Sequence, residues 1–305
     1  MRKLWLHAPR IELAKLAKID FFPIRPGSLE GEPFICLGTK SRTIGDALML
    51  TTLPAKIRAK YPSMEIYAYP RGFNPVVFCG NPHVRSVRYL PRKVFGDDIN
   101  WGEGHLIQLK ERFFELPIAE PPRPELHLLE GEISWAERLT RGAARPICVI
   151  HPWGGTVKSV ATRHFWGALV QRWSHAYRFW QLGITGHEHV PGCEKYLLLP
   201  HGYHHARKAF AAMSRAKLFI GINSGPMHIA RAFDVPSVIL TNEGDIDTIF
   251  RTRKQAAWFL YNNWRHSFLY EENLHIDVAP LSEDQLLARL DAYLEEHHPS
   301  ARPGP

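Results

Sequence analysis

AKLFIGINSGPMHIARAF, residues 216–233, opens with a short apolar run that reads as a strand. It closes with apolar residues at helical spacing. Asn223, Ser224 and Gly225 stand between the two, and Pro226 begins the helix. Proline is tolerated there because the first helical amides have no intrahelical partner. Those unpaired amides, with the helix dipole, make such a turn a place for an anion. Gly225 lets a phosphate approach the backbone, Ser224 offers a hydroxyl, and His228 falls in the first turn. A plain strand-to-helix turn capped by serine gives the same pattern.

Working outward, the same alternation recurs. Strands are expected at 33–38, 64–70 and 84–90, with helices over 44–61, 73–80, 104–116 and 130–143. PIAEPPRP (117–124) is a proline-rich break. The cycle restarts with a strand and glycine turn at PICVIHPWGG (146–155). It continues as helix and strand through 241 and ends in a helix over 282–297, with Ser282 as its cap. Strands alternating with helices imply an α/β protein with parallel sheets. The expected division is an N-terminal extension (1–32), two α/β units (33–143 and 144–282), and a C-terminal helix and tail (283–305).

The chain has 305 residues, a formal net charge of +8 and 45% hydrophobic residues, which suits two ordinary domains. The charge points to anionic partners. No run of like charge or known motif suggests nucleic acid. Four scattered cysteines without a CxxC pair fit a reducing cytoplasm. No apolar stretch is long enough for a membrane span. The basic, mildly amphipathic start lacks a cleavage signal and is able to touch a membrane surface.

Two further turns carry candidate chemistry. TKSRTIGDALML (39–50) places Asp46 at a helix start on the carboxyl side of the first strand. It is either a helix-stabilising carboxylate or a general base facing a cleft. HPWGGTVKSVATRHFW (151–166) places Gly154 and Gly155 in a turn, with Thr156, Lys158 and Ser159 as donors beside a candidate phosphate. His187, His189 and Cys193 form H-x-H-x3-C near His201, His204 and His205. That spacing suits zinc or iron, but surface histidines in a chain with 17 of them give it too, and no metal is assigned. His105 begins a helix and is a candidate to face an acceptor; Trp153 and Trp166 are candidates for stacking or for the core.

Taken together, the three turns resemble glycosyltransferase family 9, the heptosyltransferases of lipopolysaccharide core assembly, over roughly residues 33–295. GDALMLTTLPAKIRAKYP, GNPHVRSV and SGPMHIARAFDVPSVIL carry the resemblance. It implies a GT-B fold: two Rossmann-like parallel-sheet domains with the site in the cleft between them. It implies inverting transfer of a sugar, typically from ADP-heptose, to an acceptor hydroxyl. Asp46 then matches the family's base, and Ser224, Gly225 and His228 match its donor-binding residues. Lys158 aligns with a family lysine, and Glu188 with an acidic residue assigned to the nucleotide. The partners implied are a nucleotide-sugar donor and an anionic glycan or lipid-linked acceptor, at the cytoplasmic face of the inner membrane. No cofactor is required and a divalent metal is not implied.

The chain also departs from the pattern. Asn223 stands where the family has Asp, and Val160 where it has Trp. EGDIDTIF (243–250) replaces a family loop that contacts donor. Those departures keep two alternatives open: a non-catalytic nucleotide-sugar-binding relative, and a transferase acting on a protein or small molecule. An epimerase is a third, weakened by Asn223.

Overall fold

The structure, a computed structural model, describes residues 29–40, 43–90, 93–95, 105–154, 161–198, 203–241, 270 and 274–297. Among them the chain forms two parallel sheets. The first has the order β3-β2-β1-β4, with β1 at Phe34–Gly38, β2 at Glu65–Ala68, β3 at Ser86–Val87 and β4 at Lys93–Phe95. The second has the order β10-β9-β8-β5-β6-β7. Its strands are β5 (Ile147–His151), β6 (Arg178–Gly183), β7 (Lys195–Leu198), β8 (Ala216–Ile222), β9 (Ser237–Thr241) and β10 (Leu274–Asp277). Each sheet begins at an inner strand, runs to one edge, then returns to the other side. The order therefore reverses between β1 and β4, and again between β5 and β8. In open parallel sheets, ligands bind outside the carboxyl ends of strands at such a reversal.

The strands form where the apolar runs are uninterrupted. All five residues of β5 are buried, as are six of the seven in β8. That is the pattern of strands covered on both faces. One face of the second sheet packs Phe165, Trp166, Leu169 and Val170 of α6 (Arg163–Trp173) against Leu286, Leu290 and Leu294 of α9 (Glu283–His297). The other face belongs to a core that runs without a break into the first sheet. That core joins Ile35, Leu37 and Leu48 to Val149, Phe210, Phe219 and Ile229. Each such buried side chain contributes about 1.5–3 kcal/mol.

A buried arginine fastens the two halves together. Arg207, on α7 (Tyr203–Met213), is 1% exposed. It donates to both carboxylate oxygens of Glu132 on α5 (Glu130–Thr140), at 2.8 and 2.5 Å. It also reaches the carbonyls of Val76, on α3 (Asn74–Val77), at 3.2 Å and of His127 at 2.6 Å. The proline-rich segment crosses as well: Arg123 donates to the Ala232 carbonyl at 3.1 Å, and Arg231 to the Pro122 carbonyl at 3.3 Å.

The expected helix over 44–61 is two helices, α1 (Ile44–Leu48) and α2 (Leu53–Lys60). Pro54 explains the break, because its ring would clash with the Leu50 carbonyl of a continuous helix. Ser282 caps α9 as expected. Its hydroxyl accepts from Gln285 N–H at 3.3 Å, and Gln285 Oε1 accepts from Ser282 N–H at 2.9 Å.

Candidate active site

The turn of residues 222–225 sits at the carboxyl end of β8, on the reversal. α8 (Gly225–Ala232) starts there. Ser224 is the N-cap residue, but its hydroxyl donates back to the Ile222 carbonyl at 3.1 Å and makes no side-chain cap. No amide of the turn bonds the serine hydroxyl; the Met227 N–H donates instead to the Ser224 carbonyl at 3.1 Å. The Asn223 side chain is 9% exposed.

Gly225 explains how the two halves meet. A β-carbon there would lie 2.1 Å from Ile44 Cγ2 and 3.5 Å from the Gly45 nitrogen. Only glycine lets α8 seat against the start of α1 this closely. That contact brings the turn holding Asp46 against the turn holding Asn223 and Ser224. Asp46 is half-buried in the first turn of α1 and accepts from Thr43 Oγ1 at 2.5 Å. The helix dipole favours a carboxylate at that position. Asp46 is thus a stabilising residue of α1 that also stands at the carboxyl end of β1.

His228 is 1% exposed, and its Nδ1 lies 2.9 Å from the Tyr270 hydroxyl. Burial pushes its pKa down to about 3, so the ring is neutral. Tyr270 carried no signal in the sequence: no motif or period includes it. It nevertheless links several elements. Its ring lies 4.9 Å from the ring of His105, and the Arg231 guanidinium sits 5.4 Å over it. Its carbonyl accepts from His275 Nε2 at 2.7 Å. His105 is the N-cap of α4 (Leu106–Phe113).

Across the reversal, His151 ends β5 and its Nδ1 meets the Leu182 carbonyl at 3.0 Å. A carbonyl only accepts, so Nδ1 carries the proton. Burial lowers the His151 pKa to about 4. Trp153 follows in the turn, its ring 6.0 Å from that of His187. Glu188 lies on the loop after β6, exposed, 3.4 Å from Arg163. Trp166 is fully buried and belongs to the core. Gly155, Thr156, Lys158, Ser159, His201 and residues 242–269 lie outside the described residues. No group of three His, Cys, Asp or Glu among the described residues is arranged to hold a metal. Cys193 is buried, which pushes its thiol up to about 12.

Two parallel sheets over a shared core are an arrangement found in solved transferase structures. One match is E. coli ADP-heptose LPS heptosyltransferase II, with a TM-score of 0.52 and 14% identity, covering 86% of this chain and 98% of that one. A second is the glycosyl transferase family 9 protein from Veillonella parvula, with a TM-score of 0.56 and 13% identity, covering 87% of this chain and 98% of that one. The chain has the GT-B fold. E. coli heptosyltransferase WaaC with ADP shares it, at a TM-score of 0.52 and 13% identity over 88% of this chain and 99% of that one. No protein-family model matches the sequence, and no curated protein matches it. At such identities the GT-B likeness establishes the fold, while the chemistry rests on the site's own residues.

Proposed function

We propose that this chain is an inverting glycosyltransferase of the heptosyltransferase type, similar to glycosyltransferase family 9. Its donor is a nucleotide-diphosphate sugar, ADP-heptose by analogy with the solved relatives. Its acceptor is a hydroxyl on an anionic or lipid-linked surface glycan, met at the cytoplasmic face of the inner membrane. The observation that supports this reading is the seat of Gly225 against Ile44 and Gly45, which packs the start of α8 against the short helix that carries Asp46.

In this reading the Asp46 carboxylate takes the proton from the acceptor hydroxyl. The hydroxyl oxygen attacks the anomeric carbon as the bond to the diphosphate breaks on the opposite face. The nucleoside diphosphate leaves with that electron pair, and configuration inverts. Charge building on the leaving group is met by the Gly225 N–H at the start of α8, by the Asn223 amide and by the Ser224 hydroxyl once it turns from the Ile222 carbonyl. Thr156 and Lys158 are assigned to the same phosphates, and Glu188 to the nucleotide's ribose side. His228 supports the turn as a neutral ring held by Tyr270. The basic net charge of +8 favours an anionic acceptor.

The test is release of ADP from ADP-heptose by purified protein. Asp46→Asn should slow it by about 10²–10⁴-fold, the usual worth of a positioned base, while ADP still binds. An unchanged rate in that variant would remove Asp46 from the reaction. Nucleotide binding without any turnover would point to a non-catalytic relative instead.

A further inference from the structure

The first crevice contains a buried polar group that the fold leaves unused. β4 is the strand beside β1 at the first reversal, and His105 caps the helix that follows it. The His105 side chain is 5% exposed. Its Nδ1 accepts the Ile107 amide at 3.2 Å, closing a reciprocal cap in which Gln108 Oε1 accepts from the His105 amide. Nδ1 is thereby the acceptor nitrogen, so in the neutral ring the proton sits on Nε2. That Nε2–H has no hydrogen-bond partner among the described residues. A buried donor left without an acceptor costs about 1–3 kcal/mol, which a fold retains when something else supplies the acceptor.

The surroundings indicate what that acceptor is. Tyr270 covers the His105 ring and bonds to His228, whose helix begins at the proposed donor turn. Burial above all, then His228, Lys110 and Arg231 nearby, pushes the His105 pKa down to about 2. A neutral N–H donor in a positive neighbourhood suits an anionic oxygen. The Asp46 carboxylate does not fill this role: it bonds Thr43, and His105 Nε2 reaches no acceptor among the described residues.

We propose that His105 is a further substrate-contacting residue, its Nε2–H donating to a phosphoryl oxygen bound between the two sheets. The inference rests on the nucleotide-sugar reading above and adds to it a contact from the opposite half of the molecule. The phosphoryl group belongs either to the donor diphosphate or to a phosphorylated acceptor.

Nitrogen-15 spectra of histidine-labelled, full-length protein test this directly. The His105 Nε2 signal is assigned by its loss in His105→Asn, a substitution that keeps a cap for Ile107 but removes the donor. ADP is titrated first, then inorganic phosphate into the ADP-saturated protein. If the donor diphosphate is the partner, ADP moves the Nε2–H signal, and His105→Asn weakens ADP about tenfold at an unchanged melting temperature. If the acceptor is the partner, ADP leaves the signal in place and phosphate moves it. A signal untouched by both, in a protein that binds ADP, overturns the proposal and leaves the transferase reading standing. If the unaltered protein binds no ADP, the nucleotide-sugar reading fails. Phosphate alone then decides for or against His105 by whether its signal moves. The signal is read on the unaltered chain, so a variant that folds poorly does not decide the matter.

Discussion

The two sheets share one winding rule but differ in depth. The second has six strands, with β5 and β8 buried almost throughout, and helices on both faces. The first has four strands, two of them only two and three residues long. The deep half starts its helix from a buried strand and offers polar atoms through a short turn. The shallow half brings a carboxylate on a five-residue helix and an unpartnered histidine. A nucleotide needs fixed donors, whereas an acceptor needs a base within reach. In the proposed reading the deep half serves the nucleotide and the shallow half the acceptor.

Acid should separate the halves most strongly. His105, His151 and His228 are all held neutral in the fold, with pKa values pushed down to about 2, 4 and 3. The unfolded chain takes up these protons below its ordinary value of 6.5. Stability present at pH 7 is therefore lost as pH falls from about 6.5 toward 4. The loss approaches about 1.4 kcal/mol per histidine per pH unit. Two of the three lie in the deeper half, so hydrogen exchange there should rise first on acidification. A melting temperature that is flat between pH 7 and 5 would contradict this.

Arg207→Met should come next. It strands Glu132 as an unpaired buried carboxylate, at a cost of about 3–5 kcal/mol. Because Arg207 joins α7 to α3 and α5, calorimetry should also show the single transition splitting as the halves uncouple. Adding Glu132→Leu should recover most of the loss. A small, single-step change would mean the shared core alone couples the sheets.

Gly225→Ala is smaller and more local. The added methyl collides with Ile44, and overpacking of this kind costs about 1–3 kcal/mol. Pairing it with Ile44→Ala makes room, so the double variant should be more stable than the two single costs predict when added. Simple additivity in denaturant melts would show that the two turns do not press on each other.

The sequence was most legible where strands are covered on both faces. Inner strands β1, β2, β5, β6, β8 and β9 all fall within apolar runs that mark them. The strands that escaped notice, β4, β7 and β10, are all edges, and β3, the remaining edge, is two residues long where seven were expected. An edge strand is paired on one side only and carries polar residues such as Lys195, His275 and Asp277, so no continuous run announces it. At the site, Asp46, Ser224 and Gly225 stood out because turn chemistry restricts the residues allowed there. His105 was noticed only as a helix start, and its significance lies in a missing partner, which no spacing records. Tyr270 was invisible because its role is wholly tertiary.

The central claim is that the facing turns form a nucleotide-sugar site. The most direct measurement is the melting temperature of the purified chain with ADP, UDP, GDP, CMP and dTDP in turn. A nucleotide at 100 times its Kd adds about 2.7 kcal/mol to stability, which is read as a clear rise in Tm. The account predicts that rise with ADP and not with the others. A rise with a different nucleotide would keep the site and replace the donor. No rise with any of the five would contradict the claim itself.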